Sequence, residues 1–306
     1  MNDATDSVFR QIVARCSSPD VFFSEFVSVD SLNSASRHAM DSKLFFTSYE
    51  KPLIVQVWGN DPKNYEIQCR ELSYAGYAGI DINMGCPVSK IIAKGSCSAL
   101  INNRTRAKDI IDATKEGVKA GNPEVSVSVK TRIGFDSIDL SWIKFLLEQN
   151  LDCLIVHCRT TKEQSKVPNH FEVLPEIVKM RNEISPSTKL VANGDIASRS
   201  HGAEIAQEYG IDGVMIGRAI FHDPFVFSEQ SPWMTMPTKE KLSLYLEHID
   251  LFDKTWQNSK NPEVLKRFAK TYVVGFARAA QVREQIMALR SIADVREYIS
   301  QIIVSG

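Results

Sequence analysis

Short apolar, β-branched runs recur along the chain and alternate with amphipathic stretches. The runs are DVFFSEFV at 20–27, PLIVQVWG at 52–59, GIDIN at 79–83, VSVSVK at 125–130, LDCLIVH at 151–157, KLVANGD at 189–195 and GVMIG at 213–217. Their near-continuous hydrophobicity predicts strands covered on both faces. The segments between them, 62–74, 105–119, 141–149, 171–182 and 198–208, have helical spacing and length. Strand followed by helix, repeated without hairpin turns, predicts a parallel sheet with crossover helices. Seven strand candidates are one short of a closed eight-stranded α/β barrel. The missing strand is assigned to the amino end, where the first residues already read as loop and helix, with Asp6 as cap before VFRQIVARC. The expected fold is therefore a (β/α)8 TIM barrel lacking its first strand. A start placed too late is preferred to a genuinely open barrel, because an open edge leaves unpaired backbone groups.

The pattern breaks at 228–238, SEQSPWMTMPT, whose prolines and small polar residues read as a linker. Only helical signals follow. Asn261 and Pro262 make a helix start, and Leu265, Phe268, Tyr272 and Phe276 form an apolar stripe. The expected division is a barrel domain over 1–232 and a small helical domain over 238–306. Between 262 and 290 there are six basic residues (266, 267, 270, 278, 283, 290) against two acidic ones (263, 284), about +4. Such a run is either a solvated helix face or a surface for nucleic-acid phosphates.

Composition narrows the class without naming a partner: 43% hydrophobic, 24% charged and a net charge of −1 belong to an ordinary globular chain. No apolar run approaches the roughly 20 residues that span a bilayer, and MNDATDSVFR lacks the form of a secretion signal. No membrane partner and a cytoplasmic location are expected. The six cysteines, at 16, 69, 86, 97, 153 and 158, are too scattered for a disulfide framework and lack the histidines of a zinc pattern, so no metal is expected.

Cys86 lies between a glycine and a proline in DINMGCP, just after a strand. At the carboxyl end of a barrel strand a thiol is placed to act, although a small buried core cysteine fits the same position. DINMGCP, together with PLIVQVWGNDP, VSVKTRIG, IVHCRT, VANGDI, GVMIGRA, the MNDATDSVFR start and the basic helical tail, resembles the tRNA-dihydrouridine synthases over nearly the whole length. These are flavin enzymes that reduce uridines in transfer RNA. The resemblance implies FMN as cofactor, NADPH or NADH as reductant, tRNA as substrate, and a helical domain that grips the RNA. It gives Cys86 the role of proton donor to the uracil ring. It assigns FMN contacts to Met1, Gln56, Lys130 and His157, and the flavin phosphate to Asn193, Gly194, Asp195, Gly217 and Arg218. Asn83 would meet the uracil edge, and Arg159 the base or RNA phosphate.

The chemistry fits those residue types. Saturating the uracil 5,6 double bond takes a hydride at C6 and a proton at C5, and a flavin supplies only the hydride. A thiol with a pKa of about 8.5 stays mostly protonated at neutral pH and can donate. A lysine near the ring would stabilise negative charge on the reduced flavin. The target base must leave the RNA stack to reach such a site. The chain departs from the family pattern at Cys97 and Cys158, where glycine or a small residue is usual, and at Lys166, near the position of an aromatic residue. Two other readings stay open: an FMN barrel acting on a free pyrimidine, as dihydroorotate dehydrogenases do, and an RNA-binding module without flavin. A monomer is expected.

Overall fold

The structure, a computed structural model, describes residues 4–257 and 259–305 and divides into two compact units. One is Asp20–Gly217; the other joins the stretch before Asp20 to the chain from Arg218 onward. The division falls earlier than the expected 232/238 boundary, and the amino-terminal helix belongs with the helical unit.

The first unit is built on one parallel sheet. Its strands are β1 (Phe22–Phe23), β2 (Val27–Ser28), β3 (Leu53–Trp58), β4 (Gly79–Met84), β5 (Ser126–Arg132), β6 (Cys153–His157), β7 (Lys189–Asn193) and β8 (Gly213–Met215). β1 and β2 both pair with β3, at Phe23↔Ile54 and Val27↔Val57. Four steps along one chain thus oppose three along the other, so the two pieces form one strand with a one-residue bulge. The ladder continues through the interruption, since Ser24 N donates to the Ile54 carbonyl at 2.9 Å and Gln56 N donates to Ser24 Oγ at 3.0 Å. All seven predicted strand positions are present, and each pairs with the next in chain order from β3 to β8. A doubly wound sheet would reverse that order at a switch point. The monotonic order is that of a barrel, and among the described residues no pairing joins β8 to β1.

Side-chain parity along the strands decides where chemistry can sit. On β4, Ile80, Ile82 and Met84 are fully buried against the helical layer, and on β5 Trp142 Nε1 reaches Thr131 Oγ1 from the helix Leu140–Leu147 at 2.9 Å. The opposite parity carries Asp81 and Asn83 on β4, and Ser128, Lys130 and Arg132 on β5. The outer layer is tight: helices Pro62–Ser73 and Arg104–Ala120 approach so closely that a Cβ on Gly117 would lie 2.4 Å from the Glu66 carbonyl oxygen. Only glycine permits that contact.

The second unit buries aromatic rings. Asp6 caps helix Ser7–Cys16 by accepting from Phe9 N, as the sequence predicts. Phe9 stacks on Phe221 and meets Phe268 and His248, with centroids 5.0 to 5.7 Å apart. Leu265, Phe268 and Tyr272 of the predicted stripe are buried, while Phe276 lies beyond the end of helix Ala269–Tyr272. The expected linker is instead part of this core: Trp233 is buried and packs on Phe225 and Tyr272. Asn261 caps Pro262–Phe268, which is 3-10 rather than α. No helix among the described residues is long and apolar enough to cross a membrane.

Candidate active site

The inner parity of β3, β4 and β5 converges on one chain of hydrogen bonds. Asp81 is fully buried, and both carboxylate oxygens are taken: Ser128 Oγ donates to one at 2.7 Å and Gln56 Nε2 to the other at 2.8 Å. Gln56 Oε1 accepts from Asn83 Nδ2 at 2.9 Å. Asn83 Oδ1 then accepts from Gly85 N at 3.1 Å and Cys86 N at 3.0 Å. That last pair is an Asx turn, a local structure asparagine forms readily. It swings the chain out of β4 and fixes where Cys86 begins.

Around Cys86 the field is cationic. Lys130 is half-buried, and burial together with Arg132 lowers it to about 8. Arg132 donates through Nε to the Gly85 carbonyl at 2.8 Å, and through Nη1 to the carbonyls of Thr160 and Gln164 at 2.8 and 2.9 Å. It therefore ties the Cys86 turn to the loop after β6. The thiol of Cys86 is lowered to about 6, chiefly by the neighbouring Cys97 thiol and against burial, with help from the Val88 N–H and the Arg132 and Lys130 charges. These neighbours favour the thiolate more than is expected of the ordinary thiol read from the sequence. The Cys86 sulfur, and then burial, drive Cys97 the other way, strongly upward. Cys97 is held at φ 55°, a left-handed conformation that favours glycine, and Ser98 Oγ fastens the segment by donating to the Cys86 carbonyl at 2.8 Å.

His157 ends β6 opposite Arg132 on one side and Asn193 on the other. Burial and the cations Lys130, Arg132 and Arg159 push it down to about 2, which favours the neutral ring. His157 and Arg159 do face the same way, with Arg159 Nη1 lying 3.4 Å from His157 Nε2. Arg159, however, is only 2% exposed, is ion-paired with Asp195 and donates to the Val167 carbonyl at 2.6 Å. Its guanidinium joins two loops. Cys158 is buried and its thiol reaches the Val156 carbonyl, whereas Lys166 is exposed.

Beyond β7, Gly194 has φ 126° and Asp195 φ 45°. A Cβ on Gly194 would lie 2.0 Å from Asn169 Oδ1, so the turn requires glycine. Asn193 Nδ2 donates to the Met215 carbonyl at 2.8 Å and thereby joins β7 to β8. The Asn193 side chain is thus engaged inside the protein, and the exposed Asp195 pairs with Arg159. Gly217 closes the first unit and Arg218 opens the second. Met1 lies outside the described residues. Asp81, Ser128 and Arg132 are site residues the sequence reading missed. Their signal was present, since polar residues at i and i+2 in a buried strand (Asp81 and Asn83; Ser128, Lys130 and Arg132) mark one shared inward face. Among the described residues no group of three or more His, Cys, Asp or Glu could hold a metal ion.

A parallel α/β unit with strands in barrel order, a turn-mounted cysteine and a cationic wall at the strand ends defines an α/β-barrel enzyme type. The chain belongs to the dihydrouridine synthase family, whose model matches residues 1–304. It is 42% identical over 305 residues to a protein of Staphylococcus aureus (strain COL) named "Probable tRNA-dihydrouridine synthase", covering 98% of this chain and 90% of that one. It is 40% identical over 300 residues to "Probable tRNA-dihydrouridine synthase 2" of Bacillus subtilis (strain 168), covering 97% and 90%. Among solved structures, a DHODH from Eimeria tenella is similar over 63% of this chain and 56% of that one at 14% identity, with a TM-score of 0.41, too loose a likeness to weigh.

Proposed function

We propose that this chain is a tRNA-dihydrouridine synthase that uses FMN and NADPH, with Cys86 delivering the proton to C5 of a uridine. The observation that carries the reading is a cysteine fixed at the end of β4 within the field of Lys130 and Arg132. The residues suit the flavin: a half-buried cation, Lys130, answers the negative charge of a reduced ring, and the Gln56 amide is held fixed between Asp81 and Asn83. Reduced FMN, when bound, supplies the hydride for C6, and NADPH restores it.

The chain's own residues handle the proton. The Cys97 contact and the nearby cations favour the Cys86 thiolate, and an anionic ligand beside Lys130 shifts the balance back toward the thiol that can donate. The burial and neighbouring cations that favour a neutral His157 agree with Cys86 as the acid. Asn83 has committed its oxygen to Gly85 N and Cys86 N and one amide hydrogen to Gln56. It can offer a uracil edge only a donor, and so meets a carbonyl oxygen rather than the ring N–H.

For tRNA, the basic segment of the helical unit is reduced from its sequence count. Lys266 is 8% exposed, ion-paired with Glu263 at 2.5 Å and donating to the Leu289 carbonyl, and so is a structural cation. Arg283 is half-buried and donates to the Val273 carbonyl. Arg267, Lys270, Arg278 and Arg290 are exposed and remain the candidates for phosphate.

The test is incubation of the protein with unmodified tRNA, FMN and NADPH, followed by mass spectrometry of the digested RNA. A mapped uridine should gain two hydrogens; no gain with any tRNA overturns the reading. A salt titration of tRNA binding should lose about one unit of slope for each exposed arginine or lysine removed, and none for Lys266→Met.

A further inference from the structure

Asp81 lies away from the Cys86 turn, yet it ends a relay of side-chain hydrogen bonds through Gln56 and Asn83 that reaches that turn. The direction of every bond in that chain is determined. At one end stand two backbone donors, Gly85 N and Cys86 N, which demand the oxygen of Asn83. The nitrogen of Asn83 must then donate to the oxygen of Gln56, and the nitrogen of Gln56 needs an acceptor. An ionised carboxylate has no donor to offer and fills that place without ambiguity. Ser128 Oγ, 2% exposed, occupies the other oxygen and stops the carboxylate from turning. The register places Gln56, Asp81 and Ser128 side by side on β3, β4 and β5, with Asn83 beside Lys130 one layer nearer the strand ends.

From this geometry we infer that Asp81 is a positioning residue: it fixes the orientation of both the Gln56 and Asn83 carboxamides and, through them, the turn that carries Cys86. A consequence for ligand class follows. Gln56 is 8% exposed and Asn83 7%, and each keeps one uncommitted N–H while its oxygen is taken. The pair presents donors alone and selects ligands with carbonyl oxygens or bare ring nitrogens at that edge. A pyrimidine with an amino group there is refused, because two donors would meet and leave buried polar groups unpaired. The inference rests on the proposed reduction of uridine for its biological meaning but not for its test.

Two variants separate acceptor from charge. In Asp81→Asn an oxygen still faces Gln56, and Ser128 can rotate its hydroxyl to accept from the new amide. In Asp81→Leu the acceptor is gone. On the full chain without RNA, deuterium uptake at Gly85 and Cys86 should rise roughly tenfold in Asp81→Leu and stay within about twofold in Asp81→Asn. Uptake in β6 should be unchanged in both. The pH midpoint of Cys86 alkylation by iodoacetamide should stay in place in Asp81→Asn. Should Asp81→Leu fail to fold, Gln56→Met breaks the same chain one link further on and must give the same local rise. Unchanged protection in Asp81→Leu or Gln56→Met overturns the inference. Equal loosening in Asp81→Asn overturns it too, since it would make the charge beside Lys130 the operative feature. Because neither readout involves tRNA, their failure leaves dihydrouridine synthesis untouched, and failure of synthesis leaves them standing.

Discussion

The two flanks of the site are held by different forces. On the β3–β4 flank, Gln56, Asn83 and the Cys86 turn are placed by directed hydrogen bonds that end on Asp81. On the β5–β6 flank, Lys130, Arg132 and His157 are crowded groups whose ionisation is displaced by burial and by neighbouring cations, the guanidinium of Arg159 among them. The first flank governs where the thiol sits. The second adds positive charge that favours the thiolate, after the larger effect of the Cys97 contact. Position should therefore respond to changes in hydrogen-bonding partners, while reactivity should follow charge.

The largest expected effect is that of Cys86→Ala. Turnover should fall by about 10² to 10⁴, while FMN and tRNA binding stay within about twofold, as read from single-turnover kinetics and flavin titration. Turnover at the unaltered rate would mean that both flanks hold something other than the acid. Next, Lys130→Met should lower turnover by about 10² and move the alkylation midpoint of Cys86 upward from about 6, with exchange at Gly85 and Cys86 unchanged. A loosened turn in that variant would erase the distinction between the flanks. Asn83→Ala should do the converse. Losing the acceptor for two backbone donors costs about 1–3 kcal/mol and speeds exchange at the turn while the alkylation midpoint stays put.

The smallest effect concerns pH and stability. His157 has a folded pKa near 2 against about 6.5 unfolded, so below pH 6.5 the unfolded chain binds the extra proton and stability falls as pH drops. Asp81, raised to about 6 by burial, has the opposite sign and makes the fold more stable as pH falls from 6 toward 4. His157→Asn should thus flatten the acid side of a Tm-against-pH curve, and Asp81→Asn should steepen it. Differential scanning at intervals from pH 4 to 7 reads both.

Much of the first unit was legible in the sequence because buried parallel strands write themselves as apolar runs. The split of the first strand was not, since a one-residue bulge at Ser24–Phe26 leaves the apolar pattern of DVFFSEFV intact. The supposed linker misled because prolines and small residues around Trp233 resemble a surface loop, and only packing against Phe225 and Tyr272 reveals a buried ring. Lys266 was counted as solvent-facing because its partners, Glu263 and the Leu289 carbonyl, are set by how the 3-10 turns fold back. The Cys86 position was visible in DINMGCP. Its ionisation was not, because it depends on Cys97, Arg132 and Lys130, residues that approach only in three dimensions.

Arg132 holds one carbonyl before Cys86 and two in the segment that follows β6. A single rigid guanidinium thereby makes two loops, more than seventy positions apart at their extremes, share one frame of reference. Lengthening or shortening the stretch around Gln164 would be transmitted to the sulfur even though no altered residue touched it. Variation among relatives in that stretch should accordingly be tolerated in its exposed side chains and resisted in its length.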